Sequence, residues 1–105
     1  MKGSREMKNT VWLHGTLAQD PRYAGAGAMR VATLSVSVPY PDGQEREPVP
    51  VQARARHCDY LQREQPLKGD EIMLRGRVGR SQNGESVVIA SAIALHPSTE
   101  QRRES

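Results

Sequence analysis

Hydrophobic and polar residues alternate from Val11 to Ala18. Val11, Leu13, Gly15 and Leu17 fall on one face; Trp12, His14, Thr16 and Ala18 fall on the other. A period of two predicts a strand, and Asp20-Pro21 is a turn signal at its end. The next residues, D-P-R-Y-A-G-A-G-A, predict a loop that bends easily. Alternation resumes over Met29–Val38, with Ala32, Leu34, Val36 and Val38 on the apolar face and Arg30, Thr33, Ser35 and Ser37 assigned outward. Residues 39–48 carry prolines at both ends and Asp42-Gly43 within, which predicts a long hairpin-like arm with Tyr40 near its base. A third strand is expected over Val49–Arg56, with Gln52, Arg54 and Arg56 outward.

His57–Gln65 lacks β-branched residues and is followed by Pro66, so a short helix is expected there. Lys68-Gly69-Asp70 turns into a fourth strand, Glu71–Arg80. Its Ile72, Leu74, Gly76 and Val78 should face inward, and Met73, Arg75, Arg77 and Arg80 outward. Asn83-Gly84 marks a tight hairpin into a fifth strand, Ser86–Leu95. Three strands, a helix and two strands make an all-β, five-stranded Greek-key barrel of the OB type, with one short helix between strands three and four. The expected domain covers residues 9–97, between a flexible N-terminus (1–8) and a polar C-terminal tail (98–105).

Composition narrows the function. At 105 residues the chain fits one domain with one modest core, built without Phe. No apolar run reaches membrane-spanning length, and the charged N-terminus is no signal peptide. The lone Cys58 permits no internal disulfide and points to a reducing, cytoplasmic setting. His14, His57, His96 and Cys58 match no compact ligand spacing, so neither a metal nor another cofactor is expected. Cys58 and His57 are neighbours on a helix and point apart, and no other nucleophile–base pair stands out, which argues against an enzyme.

The net charge of +3 rests on twelve Arg and only three Lys. Guanidinium groups bind phosphate through a planar fork and stack on bases. Arg30, Arg54, Arg56, Arg75 and Arg77 are therefore candidate nucleic-acid contacts on the outward faces of strands two to four. The alternative is a solvated polar face. Tyr40, between two prolines, and Tyr23, in the loop after the first strand, are candidate base platforms; the alternative for Tyr23 is a structural role. Trp12 and His14 lie opposite the apolar face of the first strand.

The string N-x-V-x-L-x-G-x-L-x-x-D-P at Asn9–Pro21 resembles the opening strand of the bacterial single-stranded DNA-binding proteins. V-A-T-L-S-V-S-V at 31–38 and Y-L-Q-R-E-Q-P-L-K-G-D-E-I-M-L-R-G-R-V at 60–78 are similar to later parts of that family. The resemblance covers roughly residues 9–96. It implies an OB-fold and sequence-independent binding of single-stranded DNA, with RNA the alternative. It also implies homo-oligomers, at least dimers, paired through the strand that carries Trp12 and His14. The related PriB family, replication-restart accessory proteins, is similar in size and in its short last hairpin. The chain departs from the single-strand binders in its aromatics: of their stacking positions, only Tyr40 has an aromatic counterpart. That departure keeps open a reading as a protein-interaction module without DNA binding.

Overall fold

The structure, a computed structural model, describes residues 9–44 and 46–96. The expected tails lie outside the described residues. The elements in chain order are β1 (Val11–Leu17), β2 (Arg22–Ala24), a 3-10 turn (Gly27–Met29), β3 (Val31–Ser37), β4 (Val49–Arg54), α1 (Arg56–Glu64), β5 (Glu71–Arg80) and β6 (Ser86–His96). The strands run β1–β5–β6–β4–β3, and β3 returns to β1 through Thr16↔Ser37 and Leu17↔Val36. That return closes a five-stranded barrel, mixed because β4 and β6 run parallel. The OB-fold expectation is met. The loop after β1 holds more order than its glycines suggested, since β2 pairs along β3 as a short extra strand.

Period-two alternation fills the barrel. Leu17, Ala32, Leu34, Val36, Val51, Ala53, Ile72 and Leu74 are all buried in one cluster. Helix α1 adds Cys58 and Leu61 to this cluster and packs against β3, β4 and β6. Burial of these side chains is the main driving force for closure. Gly15 sits where β1 meets β3: a Cβ there would collide with the Ser37 carbonyl. Between β5 and β6 the register shifts at Arg75/Gly76, and Ser91 is the extra residue. Its hydroxyl donates to the Arg75 carbonyl at 3.1 Å. Such a bulge bends its strand and raises the local twist.

The polar ends of the opening string have structural work. The Asn9 side-chain amide accepts from the Val78 N–H (3.0 Å) and donates to the Val78 carbonyl (3.3 Å), extending the β1–β5 ladder by one rung. Asp20 accepts from the Lys68 N–H at 2.8 Å, joining the end of β1 to the turn before β5.

Three expectations are corrected. The third strand ends at Arg54, not Arg56, because Ala55 adopts φ 52° and ψ −120° and the helix takes up Arg56. Val78 has inward parity yet is 47% exposed, because the β5–β6 hairpin runs past the barrel body. Arg30 is not on the outward face of β3. It shares the parity of Ala32 and Leu34 and stands just before the strand begins.

Candidate nucleic-acid interface

Strand pairing sets Arg22, Thr33, Gln52, Ile89 and Arg77 side by side across five strands. Partners in register share a face, so this row runs along the outside of the barrel, with Ile89 covered by its neighbours. One rung away, Arg54 pairs with Val31 on the same face. The segment from β2 to the 3-10 turn rises on one side of this face, and the β5–β6 turn closes on it from the other. Between them lies a groove of about 610 Å³, whose lining includes Met29, Thr33, Gln52, Arg54, Arg80 and Asn83.

The chemistry of the groove is cationic and rich in hydrogen-bonding groups. Arg54 donates to the Gln52 side-chain oxygen from Nε (3.3 Å) and Nη2 (2.8 Å), and reaches the Arg80 carbonyl at 3.4 Å. Arg80 donates from Nη1 to the Gly84 carbonyl at 2.9 Å, which ties it to its own turn. These acceptors are all neutral. Among the described residues no carboxylate forms an ion pair with Arg54 or Arg80. Among the described residues both guanidiniums are thus held by neutral acceptors alone.

The other predicted residues scatter. Arg77 is exposed at the far end of the five-strand row. Arg30 borders the groove, but its guanidinium turns to α1: Nε and Nη2 each lie 2.7 Å from an Asp59 carboxylate oxygen, and Nη1 is 2.6 Å from the Gly27 carbonyl. The hydrogen bond to Asp59 raises the Arg30 pKa, and the same bond lowers that of Asp59. Arg56 is exposed on the first turn of α1, off the sheet. Arg75 faces another side of the barrel, in register with Trp12 and Ala92, its Cζ 5.7 Å from the Trp12 ring centroid.

The aromatic candidates differ in their freedom. The Tyr23 hydroxyl donates to the Leu61 carbonyl at 3.3 Å, fastening β2 to α1. Burial, with a smaller effect from Cys58, pushes its phenol above the usual range. Tyr40 leads into the arm at the opposite end of the β3–β4 pair. Its ring is stacked by Arg46 (3.9 Å to the centroid), which Asp42 holds at 2.8 Å. Trp12 is 67% exposed, and His14 beside it meets Glu71 at 2.6 Å. Met73, Ala92 and Ala94 continue this face across β5 and β6.

Sequence reasoning left Arg80, Gln52, Thr33, Met29 and Asn83 out of the candidate site. Thr33, Gln52 and Arg80 are all expected outward from the sequence, which is the available signal for those three. Nothing local to the Asn83-Gly84 turn showed that it would fold toward β3 and β4. Among the described residues no three His, Cys, Asp or Glu side chains cluster as metal ligands would.

No family model matches the sequence, and neither does any curated protein. The fold does have counterparts in solved structures. The N-terminal domain of PriB from Thermoanaerobacter tencongensis, solved as a dimer, superposes with a TM-score of 0.69 at 17% identity, over 87% of this chain and 99% of that one. The second single-stranded DNA-binding protein of Mycobacterium smegmatis gives 0.69 at 15% identity, over 90% and 91% of the two chains. The single-stranded DNA-binding protein of Thermus aquaticus gives 0.67 at 24% identity, and this chain spans 41% of its length. The architecture is the OB-fold of these proteins.

Proposed function

We propose that the domain is non-enzymatic and binds single-stranded DNA without strong sequence preference, in replication, recombination or repair. The groove with its two guanidiniums, neither ion-paired among the described residues, carries this reading. It lies over β3 and β4, the equivalents of the second and third barrel strands, where OB-folds hold oligonucleotides. The names of the structurally similar proteins point the same way. Arg54 and Arg80 would neutralise phosphates. Gln52, Thr33 and Asn83 offer donors and acceptors to sugars and base edges, and Met29 offers an apolar contact. With few aromatic platforms, each worth about 1–3 kcal/mol per stacked base, affinity should rest heavily on charge. Titration of labelled oligo-dT and oligo-rU over a salt series tests this. Binding should weaken with a log–log slope of about −0.7 per neutralised phosphate. Absence of binding to either strand at low salt would overturn the reading and leave the protein-interaction alternative. A replication-restart role in the cytoplasm is the second reading, favoured by the near-complete coverage of the PriB domain.

The same reading includes a homo-oligomer. β1 hydrogen-bonds to β5 along Val11–Thr16 but meets β3 only at Thr16 and Leu17. The other edge of Val11–His14 is therefore open among the described residues, and open edges are templates for pairing with another chain. Trp12 beside that edge would be the anchor, since exposed aromatics dominate such interfaces. Trp12→Ala should shift the sedimentation coefficient toward the monomer. An oligomer unchanged by that substitution would remove Trp12 from the interface.

A further inference from the structure

The groove wall formed by residues 24–30 has almost no core of its own. No residue of the 3-10 turn is buried, and Gly25 and Gly27 both have positive φ (79° and 57°). Something other than apolar packing must therefore fix the wall. Arg30 is positioned to do so. Its three side-chain hydrogen bonds join the Gly27 carbonyl to both oxygens of Asp59 on α1. Its own carbonyl accepts from the Ala55 N–H at 3.1 Å, at the start of the same helix.

Resting on the single-strand reading above, we propose that Arg30 and Asp59 are positioning residues. Together they hold the groove wall to α1 in its binding geometry, and Arg30 is not a phosphate contact. A fork–fork pair has defined geometry that a single point charge lacks. The ion pair is half-exposed, with side-chain exposures of 34% and 46%, so its loss should cost little global stability. Its effect is local: without it, the strand must bind a wall that first has to be ordered.

The sign of one substitution separates this from simple electrostatics. Asp59→Asn removes a negative charge beside a cationic groove, so charge alone predicts tighter binding to oligo-dT. The clamp predicts binding weaker by about three- to tenfold, comparable to ordering one long side chain on association. Arg30→Lys keeps the charge but not the fork and should weaken binding to a similar extent, with the salt slope unchanged. The double variant should be no worse than the poorer single one, because both remove the same linkage. In the free protein, amide exchange at Met29 and Arg30 should speed up in each variant, while the thermal midpoint stays near that of the parent. Binding by the parent with Asp59→Asn equal or tighter overturns the clamp alone, as does a salt slope less negative by about 0.7 in Arg30→Gln, which removes the charge. No binding by the parent at low salt overturns the single-strand reading, and the positioning role falls with it.

Discussion

Alanine at both Arg54 and Arg80 will weaken oligo-dT binding by at least about a hundredfold at low salt. Among the described residues neither guanidinium is ion-paired with a carboxylate, and a hydrogen bond to a charged group contributes about 1.5–3 kcal/mol. At 1.4 kcal/mol per tenfold, two such losses give that factor or more. The log–log salt slope should become less negative by about 1.4, one phosphate for each residue removed. Arg80 also braces its hairpin turn through the Gly84 carbonyl, so Arg54→Ala is the cleaner single variant and should lose about tenfold. Arg56→Ala and Arg63→Ala are the matched controls. They remove the same charge from exposed sites on α1, outside the groove. If the controls weaken binding as much as the groove variants do, the contact is a diffuse positive field and the groove is not the site. Unchanged affinity in the double variant would move the site elsewhere on the barrel.

The contrast between Arg54 and Arg30 shows what the sequence could reveal. Period-two alternation fixes which side of a strand a residue occupies, so Arg54, Gln52 and Thr33 were legible as outward positions. Applied strictly, the same rule puts Arg30 with Ala32 and Leu34; its charge suggested an outward face that its parity does not support. Its partner, Asp59, lies 29 residues away on another element, and no local pattern encodes that meeting. Arg56 was misplaced for a different reason. The strand stops because Ala55 takes a positive φ, a conformation that alanine residues rarely adopt and do not signal. Tyr40, read as a base platform because two prolines flank it, has its ring covered by a guanidinium from across the arm. The groove itself depends on the parallel β4–β6 pairing, which brings the β5–β6 hairpin beside β4. That pairing is a product of barrel closure, which is a property of the whole chain.

Closure is also where the fold should be most fragile. Gly15→Ala will lower unfolding stability by about 3 kcal/mol, the upper end of the usual cost of overpacking. The added methyl would meet the Ser37 carbonyl and the backbone beyond it, so no side-chain rotation can relieve the contact. β1 and β3 must then separate at Thr16↔Ser37 and Leu17↔Val36, the two pairs that close the barrel. The thermal midpoint of a domain this size should fall by on the order of 15 °C. Gly27→Ala is the comparison: a Cβ there meets nothing within 4 Å, and only its φ of 57° penalises a side chain, by about 1–2 kcal/mol. Calorimetry at one fixed protein concentration reads both, since subunit association would make the midpoint depend on concentration. A Gly15→Ala midpoint within a few degrees of the parent would mean that β1 can shift away from β3 at little cost. In that case glycine at this position of the opening strand would not be required for barrel closure.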